Sequence, residues 1–315
     1  MKLVILDGHA LNPGDLSWNC FSQFGAVSYY DRTLEESETI ERIGDAQIIL
    51  LNKTPISRKI IQSCPQLKLI CILATGYNVV DCQAAAEYGV TVCNVPDYST
   101  QAVAQFTFAL LLEVCHQVGH HSQVVHQGKW TNCPDFCFWD TPQIELAGKT
   151  LGIIGYGSIG KAVAAIAAAL GMKVLVHSRT NRGDAEYVSL EQLLRCSDVV
   201  SLHCPLFPET ANMINATTLS MMKDGAILIN TARGGLIDEA AAADALRRGK
   251  LRALAADVAR FEPIPESSPL LSAPNCILTP HIAWAPKETR QRILDITTES
   301  IRAFLDGNPI HVVNG

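Results

Sequence analysis

An apolar run, Thr150-Leu151-Gly152-Ile153-Ile154, leads into Gly155-Tyr156-Gly157-Ser158-Ile159-Gly160 and then into Lys161 to Leu170, a stretch free of Gly and Pro. Glycines at this spacing suit a tight turn between a buried strand and a helix N-terminus. Gly155 lets the chain turn, Gly157 lets the backbone approach a pyrophosphate, and Gly160 lets the helix pack close on the sheet. Free N–H groups and the positive end of the helix dipole then face the phosphates. A glycine triplet alone is weak evidence, because turns and close packing also use glycine; the strand before it and the uninterrupted helix after it carry the assignment. The next strand ends in His177-Ser178-Arg179-Thr180, at about the distance from Gly160 where NAD-binding versions of this turn place an Asp or Glu on the ribose hydroxyls. No carboxylate stands there. An Asp would repel a 2′-phosphate, whereas Ser178 and Arg179 are able to bind one through charge-assisted hydrogen bonds of roughly 1.5–3 kcal/mol each. NADP(H) is therefore the expected cofactor. NAD(H) is also compatible, since neutral residues do not exclude it, and the plainer alternative for Arg179 is a solvated strand end.

The elements that must position these residues alternate along nearly the whole chain, short apolar runs with helical patterns, as in parallel sheets with crossover helices. Strands are predicted at Leu3–Leu6, Ala26–Tyr30, Gln47–Leu51, Leu67–Leu73 and Val90–Cys93. Between them a capping box of Thr33 and Glu36, then Ser57 and Asp81, open helices. From about Ser99 an apolar helix, Val103 to Val118, bridges toward the glycine motif. His120, His121 and His126 follow it and are read as contacts with a helix C-terminus rather than as a metal cluster. Thr131 to Leu146 is a long loop holding Cys133, Pro134, Phe136, Phe138, Trp139 and Pro142; so much aromatic surface needs a cover, and a homodimer contact is expected. Beyond the motif come strands Lys173–His177, Asp198–His203, Ala226–Asn230, Leu254–Val258 and Ile277–Thr279. Helices there are capped by Ser189, with Gln192, and by Asp238, and a closing helix runs from Lys287 to Leu305. Six parallel strands fit a complete dinucleotide fold.

Composition agrees with a two-domain enzyme of 315 residues: 48% hydrophobic, 18% charged, net charge −6. Neither disorder nor a polyanion-binding surface is suggested, so nucleic acid is an unexpected partner. The first strand reaches Asp7 too early for a signal peptide, and no run approaches the roughly 18 apolar residues of a membrane span. A cytoplasmic location follows as the expectation, with no membrane partner. The eleven cysteines, scattered through apolar runs (Cys71, Cys93, Cys115, Cys204, Cys276), read as buried thiols. No zinc-site spacing occurs, and no metal is expected.

Three segments at the ends of later strands carry reactive side chains: Asn230-Thr231-Ala232-Arg233-Gly234-Gly235, Ala256-Asp257-Val258-Ala259-Arg260-Phe261-Glu262-Pro263, and Thr279-Pro280-His281-Ile282-Ala283. Together with the glycine motif and the earlier Ala74-Thr75-Gly76-Tyr77-Asn78-Val79-Val80-Asp81, they resemble the D-isomer-specific 2-hydroxyacid dehydrogenase family over almost the whole chain. Asp7-Gly8-His9, Asn12 to Leu16 and Asn94-Val95-Pro96 look closest to its glycerate dehydrogenases, also called hydroxypyruvate or glyoxylate reductases. The resemblance implies an α/β protein with two doubly wound parallel sheets. One is a flavodoxin-like substrate domain, 1–98 plus 286–315, and the other an inserted Rossmann dinucleotide-binding domain, 99–285, with the active cleft between them.

It also implies hydride transfer between a nicotinamide cofactor and a small 2-keto or D-2-hydroxy acid, most simply hydroxypyruvate/D-glycerate and glyoxylate/glycolate. That reaction needs a cation for the carboxylate, a proton donor for the new alkoxide and a nicotinamide facing the carbon. By resemblance Arg233 is the cation, a planar fork matched to a carboxylate. His281 is the proton donor in reduction and the acceptor in oxidation, and Glu262 is its carboxylate partner, favouring the imidazolium and fixing the ring. Thr75, Gly76 and Tyr77 are placed on the substrate. Ser178, Arg179, Thr180, His203, Cys204, Pro205, Thr231, Ala232, Arg233, Asp257 and His281 join Gly155 to Gly160 around the cofactor, with Asp257 at the nicotinamide carboxamide. Lys53 is left between a substrate contact and a solvated residue, and Trp139 without a role. Alternatives are phosphoglycerate dehydrogenase, whose members often carry additional C-terminal domains where this sequence stops at Gly315; formate dehydrogenase, in which Gln replaces Glu262; and a non-catalytic NAD(H)-sensing corepressor-like protein.

Overall fold

The computed structural model describes residues 1–315, which divide into two compact units, Met1–Ser99 with Trp284–Gly315 and Thr100–Ala283. The first holds a parallel five-stranded sheet of β1 (Lys2–Ile5), β2 (Ala26–Tyr29), β3 (Ile48–Leu51), β4 (Leu69–Ile72) and β5 (Thr91–Cys93), in the order β2-β1-β3-β4-β5. This is the flavodoxin-type arrangement. Successive side chains of a strand point to opposite faces. Val4, Ile49, Leu51, Ile70 and Ile72 accordingly enter one core, and Leu3, Ile5, Ile48, Leu50, Leu69 and Cys71 the other. Both faces are covered by helices. α1 (Glu36–Ile43), α2 (Arg58–Ser63) and α3 (Cys82–Glu87) follow the strands, and the closing helix Lys287–Leu305 places Ile293, Leu294 and Ile301 in the second core.

Ser57 and Asp81 cap α2 and α3 as expected, accepting from the Ile60 and Ala84 N–H groups. The Thr33–Glu36 capping box does not form. Glu35 is the N-cap, and the Thr33 hydroxyl instead donates to the Leu6 carbonyl and accepts from Arg42 Nη1 at 2.6 Å. A buried carbonyl at a strand end outcompetes the helix terminus for that hydroxyl. A 3₁₀ stretch, Trp18–Phe24, was not predicted; it buries Phe21 beneath the Trp18 ring.

The second unit begins with α4 (Thr100–His116), which breaks at Gln117 (φ 46°, ψ 49°) and resumes as α5 (Val118–His126). The three histidines therefore lie within a second helix. His120 and His121 contact Asp140 of the following loop at 2.8 and 3.2 Å, and the His121 Nδ1 also lies 2.9 Å from the Gln117 carbonyl at the end of α4, the kind of contact the sequence led one to expect. No group of three or more His, Cys, Asp or Glu side chains is arranged to hold a metal ion, and no single helix is long and apolar enough to cross a membrane. Then come β6 (Thr150–Ile154), α6 (Ser158–Ala169), β7 (Lys173–His177), α7 (Leu190–Cys196), β8 (Val199–Leu202), α8 (Ala216–Met221), β9 (Ala226–Asn230), α9 (Glu239–Arg247), β10 (Leu251–Ala256) and β11 (Cys276–Leu278). They form a six-stranded parallel sheet, β11-β10-β9-β8-β6-β7. The six strands are reached differently from the usual 3-2-1-4-5-6 order, because the strand expected beyond β7 is reduced to one parallel bridge, Val176 to Tyr187. The unpredicted α8 is opened by a reciprocal capping box of Asn215 and Thr218. All eleven cysteines are unpaired; Cys71, Cys93 and Cys115 are buried, while Cys204 and Cys276 are half-buried and Cys196 is exposed.

Within the first unit, Arg290 of the closing helix is 8% exposed. It donates two hydrogen bonds to Asp15, at 2.7 and 2.6 Å, and others to the Leu11 and Ala285 carbonyls. The hydrogen-bonded guanidinium holds the Asp15 carboxyl below its usual range. A carboxylate depressed in the folded state contributes stability above its unfolded pKa, near 4, and loses it as pH falls through the folded value. Asp15→Asn is expected to lower Tm at pH 7, with the gap from the parent narrowing below about pH 4. Thermal melts across that range would refute this if the gap is independent of pH.

Candidate active site

The C-terminal ends of all six strands of the larger sheet lie on one row of paired residues: His177 with Ile154, Ile154 with Leu202, Leu202 with Asn230, Asn230 with Ala256, and Ala256 with Leu278. Ligands of open α/β sheets bind beyond this edge. Each functional segment of the unit leaves the sheet from that row.

The glycine motif occupies its middle. Gly155 has φ 95°, and a Cβ there would stand 2.5 Å from the Cys204 nitrogen; at Gly160 it would stand 2.3 Å from the Gly155 carbonyl oxygen. Only Gly157 has open space, with nothing within 4 Å of an added Cβ, and it is the N-cap of α6. Two glycines thus serve chain packing and the third leaves the helix N-terminus accessible, which fits a dinucleotide pyrophosphate. Tyr156, Ser158 and Ile159 complete the turn, with Tyr156 edge-on to Tyr187 at 5.9 Å.

Beyond β7, Ser178 is half-buried, and Arg179 and Thr180 are exposed. The Arg179 guanidinium lies 5.9 Å from the centre of the Phe207 ring, a contact the sequence did not announce. The next acid, Asp184, is engaged by Lys161 at 2.6 Å and by the Tyr187 hydroxyl at 2.8 Å. After β8, His203 bonds Ser201 through Nε2 at 2.8 Å, and burial pushes its imidazole down to about 4, so the ring is neutral at ordinary pH. Burial pushes the Cys204 thiol up to about 11; its Sγ faces Met213 and is poorly suited to chemistry. The Pro205 carbonyl accepts from Thr210.

After β9, Asn230 closes the loop on itself, its side chain donating to the Arg233 carbonyl at 2.9 Å and accepting from Ala232 N–H at 3.0 Å. Thr231 is buried against Thr107 of α4, hydroxyl to hydroxyl at 3.0 Å. Arg233 is exposed, with Nη1 donating to the Ala232 carbonyl. Gly234 abuts the next loop so closely that a Cβ would fall 1.9 Å from the Ala259 carbonyl carbon.

That next loop follows β10, which ends at Ala256, earlier than predicted. Asp257 is 1% exposed, and its oxygens accept from the Thr279 hydroxyl (2.6 Å), Ile282 N–H (2.9 Å) and Ala283 N–H (2.7 Å). Its carboxylate is therefore occupied in fastening the segment that carries His281. His281 sits at φ 55°, a conformation few non-glycine residues adopt, and its Nδ1 lies 2.6 Å from Glu262 Oε2. Glu262 Oε1 accepts from Ala259 N–H at 3.1 Å. Both side chains of the pair are about one-third exposed, at 33% and 38%. A carboxylate fixing one imidazole nitrogen sets the orientation and tautomer of the ring, as a proton-exchanging histidine requires.

Thr75, Gly76 and Tyr77 belong to the other unit, in the loop after β4. Thr75 is anchored by its hydroxyl to the Val95 carbonyl and by Asn94 Nδ2 on its own carbonyl, while Tyr77 is 45% exposed. The Lys53 N–H is one of three, with those of Asn52 and Thr54, accepted by Asp7.

The sequence model for the NAD-binding domain of D-isomer specific 2-hydroxyacid dehydrogenases matches residues 108–283. A hydroxypyruvate reductase of Blautia hydrogenotrophica is 53% identical over all of both chains, and a glycerate dehydrogenase of Methylorubrum extorquens is 40% identical over 99% of this chain and 98% of its own. Among solved structures, an acyclic imino acid reductase in complex with NADPH and D-Arg superposes with a TM-score of 0.85 at 31% identity, covering 99% of this chain and 100% of its own. Sequence and fold agree over the full length, and the chain belongs to the D-isomer-specific 2-hydroxyacid dehydrogenases, oxidoreductases that act on a CH–OH group with a nicotinamide cofactor.

Proposed function

We propose that this enzyme interconverts hydroxypyruvate and D-glycerate, also reduces glyoxylate to glycolate, and prefers NADPH. The observation that carries the reading is the 2.6 Å contact between Glu262 and His281 at the strand-end row that also bears the glycine turn. The names of the two relatives support the substrate pair.

When bound, the reduced nicotinamide supplies the hydride. Arg233 holds the substrate carboxylate and polarises the adjacent ketone, its permanent charge suited to a planar anion. By the family resemblance, backbone N–H groups of Thr75 and Gly76 are also assigned to substrate, with Tyr77 beside them. His281 delivers the proton to the new alkoxide and takes it back in oxidation, while Glu262 stabilises the imidazolium in between. Backbone at Thr231 and Ala232 would help hold the nicotinamide. Asp257 acts there through the loop it fastens, and one carboxylate lone pair beyond its three donors is left for the carboxamide. His281→Ala is expected to lower kcat by at least about a hundredfold, the usual reach of general acid–base catalysis, with coenzyme affinity retained. Unchanged turnover removes His281 from the mechanism. Cofactor binding without turnover in the parent, tested with NADPH and hydroxypyruvate, favours a sensing protein instead.

The coenzyme preference rests on the half-buried Ser178, the exposed Arg179 and the engagement of Asp184 elsewhere. Ser178→Asp should invert the ratio of kcat/KM for NADPH and NADH through repulsion of the 2′-phosphate and new bonds to the ribose. A ratio that stays put refutes this account.

The unit Thr100–Ala283 is proposed to carry the face of a homodimer. Phe136 is 89% exposed, Trp139 65%, Val118 65% and Trp130 52%, all on α5 and the loop after it. An apolar face of this kind marks an interaction surface. Sedimentation equilibrium is expected to give a dimer for the parent and a monomer for Phe136→Ser/Trp139→Ser; a monomeric parent or a dimeric variant removes the assignment. We place the enzyme in the cytoplasm, supported by eleven unpaired cysteines.

A further inference from the structure

The loop that carries Glu262 has no regular secondary structure and is held from outside. Glu239 is the first residue of α9, where the helix dipole favours a carboxylate and the side chain ordinarily stays in water. Here both of its oxygens are spent on that one loop. Oε1 accepts the Arg260 N–H at 2.8 Å, and Oε2 accepts the Ser268 hydroxyl at 2.9 Å. Glu262 lies between these two anchors, and Ser268 is buried. Arg260 adds a second tie, its Nη1 donating to Asn212 Oδ1 at 3.1 Å, while Asn212 N–H donates to the Gly235 carbonyl at 2.9 Å. The α9 cap does not depend on Glu239, because Asp238 already accepts from the Ala240 and Ala241 N–H groups.

We propose that Glu239 is a positioning residue for proton transfer. Its carboxylate bridges Arg260 and Ser268 so that the loop presents Glu262 Oε2 to His281 Nδ1 at 2.6 Å. The inference rests on the assignment of proton transfer to the His281–Glu262 pair. Ångström-scale displacement of a catalytic group costs up to about a hundredfold in rate, so loosening the loop registers in kcat while coenzyme binding at the glycine turn is untouched.

The test is a double-mutant cycle between Glu239→Ala and Glu262→Gln, with kcat, its pH profile and the coenzyme Kd measured for each protein. Glu239→Ala is expected to lower kcat about tenfold and to displace the pH profile at unchanged Kd, yet to cost less than about twofold in the Glu262→Gln background. Glu239→Gln should restore kcat to within about twofold of the parent, because its amide oxygen accepts from Arg260 and its nitrogen donates to the Ser268 hydroxyl. Equal losses in both backgrounds, or an unchanged kcat in Glu239→Ala, overturn the proposal. If Glu262→Gln alone leaves kcat and pH profile intact, the assignment of the pair falls and this inference with it; if Glu262→Gln is impaired and Glu239→Ala is not, only the role of Glu239 falls. Should Glu239→Ala not fold, Ser268→Ala removes a single anchor: a loss of about two- to threefold that disappears in the Glu262→Gln background supports the role, and no loss overturns it.

Discussion

Register in the larger sheet is the constraint on which everything else rests. Its ladders align His177, Ile154, Leu202, Asn230, Ala256 and Leu278 across all six strands, so the segments of the candidate site begin from one edge. A slip of one residue would move a loop by about 3.3 Å and send every side chain of that strand to the opposite face. β8 and β9 are buried along their whole length, and such strands need ladder hydrogen bonds to satisfy their backbone. The starting points of these loops thus inherit their alignment from backbone pairing, and side-chain contacts then fix the loops themselves.

A second device, used in both sheets, fixes the loops that follow the strand ends. Carboxylates just past a strand end gather backbone N–H groups from a neighbouring segment. Asp7, following β1, accepts from Asn52, Lys53 and Thr54, and Asp257, following β10, accepts from Ile282, Ala283 and the Thr279 hydroxyl. An ionised carboxylate buried without partners costs several kcal/mol. With three donors each, these acids are strong local fasteners, and at Asp257 the fastened segment holds His281 in its unusual backbone conformation.

Solvent divides the polar groups by task. Asp257, Thr231 and Ser268 are buried and satisfied, and His203 is kept neutral by burial. Glu262 and His281 keep about one-third of their surface exposed, and Arg233 is exposed as well. The groups to which the proposed function gives proton exchange and substrate binding are the exposed ones, and those that fasten their loops are buried. Gly234 links two of these loops, since a side chain there would collide with Ala259.

Much of this was legible in the amino-acid order, because it depends on local rules. Alternating apolar runs and capped helices announced two parallel sheets, the spacing of Gly155, Gly157 and Gly160 announced the turn, and the absence of an acid after His177 set the expectation for the coenzyme. The contact of Glu262 with His281 was expected through resemblance, each residue in a motif of its own. Local rules failed where a distant group competed: Thr33 left its helix for the Leu6 carbonyl. Tertiary structure alone decided that Glu239 grips both sides of the Glu262 loop and that Asp257 is a fastener. Helix caps and glycine turns are settled by neighbours a few residues away, whereas a carboxylate's partners depend on which loops the folded sheet brings within 3 Å of it.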